Sequence, residues 1–274
     1  METRQLHSGD LLRFASVTFI FVMGIFAILA SNGNDKFATI IRSVGSGAGG
    51  SEIQYIGVGD CTTAAIGPTG TSGIGSMAKD SSGTLYAVNY QGTLVQVNSR
   101  TGQATTEVAL TGLDVPSVRA LTFDSNDNLY AVTGDPADPD KPHNLYRIDI
   151  ATGNSTHIGD MTYLGIQAMA TAPDGTVYVW DMGGHPFWSL GLGTVDTQTG
   201  DVTDVNPSDN YGALSGNTPK PDIQTLVFMS KLYGIGNGNV YEIDTSTGQA
   251  TMTCFGVTTG GGIGAEYVYV AWPD

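Results

Sequence analysis

Apolar positions along residues 51–274 recur in short runs of strand length, and the runs themselves repeat. A Leu/Val-Tyr pair stands at Leu85-Tyr86, Leu129-Tyr130, Val177-Tyr178, Leu232-Tyr233 and Val268-Tyr269, at intervals of 44, 48, 55 and 36 residues. Periods in this range mark propellers and arrays. Ahead of the first four pairs comes a second apolar column: Ile74 with Met77, Val118 with Leu121, Ile166 with Met169, and Ile223 with Leu226. Behind them runs a hairpin that begins at residue 92, 143, 190 or 238, with an apolar sixth position (Val97, Ile148, Val195, Ile243). Thr-Gly follows at its tenth and eleventh positions, where Gly permits the positive φ a tight hairpin needs. The period-2 alternation and turn spacing predict four antiparallel strands per unit, A to D from inside to outside.

The fifth unit stops soon after Val268-Tyr269 and lacks its own C and D strands. SEIQYIGVGDCTTAAIG, from Ser51, aligns with the other hairpins without a gap and puts Cys61 at the turn Gly. The expected fold is therefore all-β: a five-bladed β-propeller whose last blade takes A and B from the C-terminus and C and D from the N-terminus. Such a latch removes the open edge between first and last blades. An open β-sandwich is the competing class, because many short, evenly spaced strands suit it as well.

The N-terminal pattern is of another kind. Phe14 to Ala30 carries no charge, and Leu11 to Ala30 has nearly the length that spans a bilayer. The expected organisation is a tail at 1–10, a transmembrane helix or signal anchor at 11–30, a Gly/Ser-rich linker at 31–50 that includes SVGSGAGGS, and the propeller at 51–274. A cleaved signal peptide is the alternative, disfavoured by Ile28 where a small residue is preferred. Arg4 and Arg13 before the helix balance Lys36 and Arg42 after it, so charge does not orient it.

Composition narrows the function classes. With 11 basic and 26 acidic residues the net charge is -15, which excludes a nucleic-acid module built on clustered Lys and Arg. The 38 Gly residues and 14% charged residues fit many turns between strands. Such an acidic body suits an exported domain on the periplasmic or extracellular side.

The LYRIDIATGNSTHIG stretch resembles the bacterial exported propeller repeats of consensus LYxIDxxTGxxTxIG, akin to the NHL and YVTN types, over residues 51–274. The resemblance implies the propeller architecture and no catalytic residue, since propellers host unrelated functions.

Connections differ between the two faces expected of the ring. A-to-B and C-to-D turns are short, whereas the B-to-C loops 133–143 and 181–191 and the link 206–222 are long, and binding usually resides on such loops. Candidate binding residues are Asp135, Asp138, Asp140 and His143 in the first loop, His185, Phe187 and Trp188 in the second, and Tyr211 in the link. The three aspartates could offer oxygen ligands to calcium but lack EF-hand spacing, so no metal site is assigned. The aromatic cluster could anchor a partner or fold over its own blade. The Tyr of each Leu/Val-Tyr pair reads as packing, the Asp at position seven of the hairpins (Asp149, Asp196, Asp244) as a turn acceptor, and Glu266 as an exposed turn residue. Cys61 and Cys254 fall near opposite faces of neighbouring blades in this scheme, and no disulfide is expected between them.

No nucleophile elbow, HExxH, P-loop or haem motif is present, and no cofactor is expected. The reading is a membrane-anchored propeller acting as a non-catalytic interaction or accessory subunit, with the membrane and a protein partner or membrane complex, respiratory or photosynthetic, as its contacts. An extracellular filament subunit with the apolar helix in its core is one alternative, and a glycan-active hydrolase or lyase using the loop-rich face is another.

Overall fold

A computed structural model of the chain describes residues 39–44, 51–71, 73–134, 141–161, 165–182, 191–207, 221–257 and 265–267. The apolar segment 11–30 and the residues from Val268 onward lie outside them, and among the described residues no helix is long and apolar enough to cross a membrane.

The fold is an all-β propeller. In chain order the strands are β1 (Thr39–Val44), β2 (Glu52–Gly57), β3 (Thr63–Pro68), β4 (Ile74–Lys79), β5 (Leu85–Asn89), β6 (Thr93–Val97), β7 (Ala104–Ala109), β8 (Val118–Phe123), β9 (Leu129–Thr133) and β10 (Asn144–Ile148). They continue with β11 (Ser155–Asp160), β12 (Ile166–Thr171), β13 (Val177–Asp181), β14 (Gly191–Val195), β15 (Val202–Asp204), β16 (Thr225–Phe228), β17 (Leu232–Gly236), β18 (Asn239–Ile243), β19 (Ala250–Cys254) and β20 (Ala265–Tyr267). Four antiparallel sheets each use four consecutive strands, β4 to β7, β8 to β11, β12 to β15 and β16 to β19, and each is one blade.

A further sheet has the order β20-β1-β2-β3, joining strands from the two ends of the described chain. Its composition corrects the sequence reading. The strand beside β2 is β1, paired from Thr39↔Gly57 to Val44↔Glu52, and β20 pairs with β1 through Ile40↔Tyr267 and Arg42↔Ala265. Three strands therefore come from the N-terminal side and one from the C-terminal side, and β1 lies inside the span 31–50 expected to be linker. The Gly-rich run that follows drew the linker reading over TIIRSV, whose β-branched residues favour a strand.

The core is divided into wedges between adjacent sheets. Tyr86, Val88 and Leu94 of one blade meet Leu121, Phe123 and Leu129 of the next, and Val132, Leu145 and Tyr130 meet Met169, Val177 and Val179 in turn. The same arrangement brings Ile56 and Val58 of the mixed sheet against Val227, Ile235 and Val240, and Ile53 against Ile74, Met77 and Leu85. The apolar columns of the repeat are these wedges, and each fully buried Leu or Ile in them contributes roughly 1.5–3 kcal/mol. The repeated Tyr residues pack as expected, Tyr86 on Phe123 at 5.4 Å between ring centroids and Tyr178 stacked on Phe228 at 6.4 Å.

Cys61 and Cys254 form a disulfide, with Cα atoms 5.5 Å apart, contrary to expectation. The expectation assumed that neighbouring blades stand level. Twist accumulates from the inner to the outer strand of a blade, so the far end of each outermost strand leans over the C-to-D turn of the next blade. That contact recurs: Gly67 approaches Gly102, Ala109 approaches Gly153, Gly159 approaches Gly200, and the Asn206 side-chain amide donates to the Thr247 carbonyl at 3.2 Å. Cys254 and Cys61 occupy the same two places where β19 meets the β2–β3 hairpin.

Candidate functional site

The C-to-D turns are built alike. Asn98, Asp149, Asp196 and Asp244 each accept hydrogen bonds from backbone N–H groups two or three residues on, as predicted for the aspartates. The turn glycines Gly102, Gly153, Gly200 and Gly248 have φ between 72° and 84°. A-to-B turns on the same face are also short, and Ser81 of one donates from its N–H and hydroxyl to Asp127 of the next at 2.8 and 2.6 Å. This face is a set of rigid turns tied to one another.

The strand ends that flank the long connections stand on the opposite face. Asp135, Asp138, Asp140, His185, Phe187, Trp188 and Tyr211 lie outside the described residues. Glu266, read from the sequence as an exposed turn residue, stands instead in strand β20 opposite Ile41. His143 is described, and it is buried at 5% exposure at the end of the first long loop. Its imidazole lies over Gly134, where a Cβ would collide with the ring, and it hydrogen-bonds the backbone of Ile166 in the next blade. Burial, reinforced by the nearby charge of Arg119, pushes its pKa down to about 4, so His143 is neutral at physiological pH. A buried neutral imidazole joining two blades is a packing element.

The stem of the same loop is fastened by Asp114, in the link between β7 and β8. Its carboxylate accepts from the Thr133 hydroxyl at 2.7 Å, the Asn144 amide at 2.7 Å and Lys141 Nζ at 3.3 Å. Its backbone N–H donates to the Tyr146 hydroxyl at 3.2 Å. Burial raises the Asp114 pKa, but these donors together outweigh it and hold the group below the ordinary carboxylate range. One side chain thus ties an inter-blade link to both ends of the loop.

Nearer the axis, the innermost strands carry a repeated β-bulge absent from the sequence reading. Pairing jumps from Ile74 to Ser76, from Val118 to Ala120 and from Ile166 to Ala168, which leaves Gly75, Arg119 and Gln167 without a cross-strand partner. Bulges re-aim side chains and are common beside functional sites. Arg119 and Gln167, with Gln224 at the corresponding place before β16, line a small recess together with Ser76, Met77, Leu121, Met169 and Thr225. The first blade has Gly here because a Cβ would press on the Val118 carbonyl and the Tyr90 ring, each at 3.3 Å. The signal lay in the sequence: the residue after the first apolar member of each repeat is Gly, Arg, Gln and Gln where an uninterrupted buried strand would be apolar.

The recess has a cavity volume of about 10 Å³, room for about one water molecule. That is below the roughly 300–1,000 Å³ of sites that engulf larger ligands. Among the described residues no group of three or more His, Cys, Asp or Glu is placed to hold a metal ion.

No family model and no curated protein matches this chain. Among solved structures it is similar to a gluconolactonase from Xanthomonas campestris, at 15% identity and a TM-score of 0.50, over 80% of this chain and 77% of that one. It is also similar to a chain of the nidogen/laminin complex, at 11% identity and a TM-score of 0.52, over 84% of this chain and 97% of that one. Both neighbours are β-propeller-like, and at these identities the likeness shows the fold alone.

Proposed function

We propose that this chain is an exported five-bladed propeller, held to a membrane by its apolar N-terminal segment, that works as a non-catalytic interaction subunit through its loop-rich face. The observation that carries the reading is the asymmetry of the two faces: one carries short turns, some bonded to one another, and the strand ends that flank the long connections 133–143, 181–191 and 206–222 stand on the other. The Cys61–Cys254 disulfide supports the exported location, because such bonds persist in oxidising compartments. The sheet β20-β1-β2-β3 supports five blades, with both ends of the chain closing the ring.

The test is purification of the native full chain in mild detergent, followed by mass spectrometry. The reading expects stoichiometric integral-membrane partners that are lost when loops 134–143 and 182–190 are shortened together. A chain released by alkaline wash that behaves as a lone monomer and turns over polysaccharides or sugar lactones would replace it with an enzymatic one.

A further inference from the structure

We propose that the recess between the innermost strands holds one buried water molecule, shared by four sheets, with Arg119 Nε and the Ser76 hydroxyl as its partners. Ser76 comes from β4, Arg119 from β8, Gln167 from β12 and Thr225 from β16, so the innermost strands of four sheets meet at this point. Ser76 is 2% exposed, and both its hydroxyl and Arg119 Nε are buried atoms that no protein group satisfies. Buried polar groups are nearly always paired, with protein or with ordered water. Two such atoms from residues lining one recess call for a shared partner.

Size, polarity and charge select the occupant. A cavity of about 10 Å³ admits a single water-sized species and no polyatomic ligand. Its accessible surface is polar, so the occupant is a hydrogen-bonding one. Arg119 Nε can only donate, which excludes a metal ion or an ammonium group. Nor is the guanidinium an isolated charge, because His143 feels Arg119 together with the opposing charges of Asp181 and Asp114. A halide would find little surplus positive charge to offset the loss of its hydration. Water remains: it accepts from Arg119 Nε, exchanges a hydrogen bond with Ser76, and has protons left for the side-chain carbonyls of Gln167 and Gln224 on the same lining. Neither glutamine makes a side-chain hydrogen bond to another described residue. Strands β4 and β12 each pack on β8, so a water bonded to Ser76 and Gln167 links sheets that are not adjacent in the ring. The assignment does not depend on what the loop-rich face binds.

The experiment is a crystal structure of the full chain in detergent, from crystals grown in chloride and, in parallel, in bromide. One solvent peak within hydrogen-bond distance of both Arg119 Nε and Ser76 Oγ is expected, the same in either salt and without anomalous signal at the bromine edge. Anomalous signal at that position would overturn the assignment in favour of an anion. A recess without a solvent peak, its two polar atoms bonded directly to protein, would overturn it as well. In solution, the Arg119 Nε proton should show a rotating-frame Overhauser effect to water of the sign that a long-lived bound molecule gives. Ser76→Val, whose branched side chain fills the recess, should abolish that effect. Its survival in a folded Ser76→Val variant would trace it to bulk solvent and count against the site.

Discussion

Among the described residues, four of the places where one sheet's outer strand leans on the next sheet's hairpin turn are noncovalent, and the fifth, between β19 and the β2–β3 hairpin, is a disulfide. In the first three noncovalent contacts Gly67, Ala109 and Gly159 press against turn glycines, and in the fourth the Asn206 amide reaches Thr247. The turns differ as well. Asn98, Asp149, Asp196 and Asp244 brace the ordinary ones from position seven, while Gly57 stands there at the seam and Asp60 takes over by accepting from the Thr62 N–H and hydroxyl at 3.0 and 2.7 Å. Cys61 adopts φ 58°, in the left-handed region that glycine fills in every other turn. Elsewhere the chain passes directly from one blade to the next and keeps them adjacent. At the seam the bonded residues are 193 positions apart, and a covalent bond supplies the adjacency that chain continuity does not.

Reduction strikes at this difference most heavily. Loss of a crosslink closing so long a loop should lower stability by about 2–5 kcal/mol, measured as the shift in urea midpoint with and without reductant or in Cys254→Ser. If reduction leaves the midpoint unchanged, the seam is no weaker than its counterparts and the contrast collapses.

Acid should act on an ordinary interface instead, between the second and third blades. The folded-state pKa of His143 is about 4 against 6.5 for the free side chain, so between those values the unfolded chain binds the extra proton and stability falls as pH is lowered. The full difference is about 3 kcal/mol, reached below pH 4. Urea melts from pH 7 to 4 should show this slope in oxidised and reduced protein alike, and His143→Leu should flatten it. The turn carboxylates Asp149 and Asp244, held below their ordinary range by backbone and side-chain donors, add a second decline only as pH falls beneath about 3.8.

Changing a single turn residue probes the contrast at smaller scale. Gly102→Val forces a branched side chain into positive φ and onto the Gly67 carbonyl, and should cost about 1–3 kcal/mol by thermal melt. In a Cys254→Ser background, Cys61→Gly should restore about 1 kcal/mol, because the left-handed backbone is then free of its Cβ penalty. A further loss there would mean that the Cys61 side chain stabilises the turn apart from its bond.

How much of this was readable before folding depends on what each feature requires. The wedges were legible because Val118 with Leu121, and Ile166 with Met169, recur in step with Leu129 and Val177, and burial follows directly from that pattern. Turn braces and the slot of Cys61 were legible because hairpins of one length align without gaps. The disulfide was not, since it depends on how far an outer strand tilts, a property of the assembled sheet. Strand β1 was hidden by the glycines beside it. The column of Gly75, Arg119, Gln167 and Gln224 was present in the sequence, but only the bulges in β4, β8 and β12 reveal that it leaves the ladder.

The placement of β20 bears on biosynthesis. β1, β2 and β3 have all been made once synthesis reaches Pro68, yet the strand that pairs with the inner edge of β1 is residues 265–267. Until those residues are made that edge has no partner, so chains broken off before them expose it to chaperones and proteases. Quality control can therefore distinguish a closed sheet from an open one by a single strand.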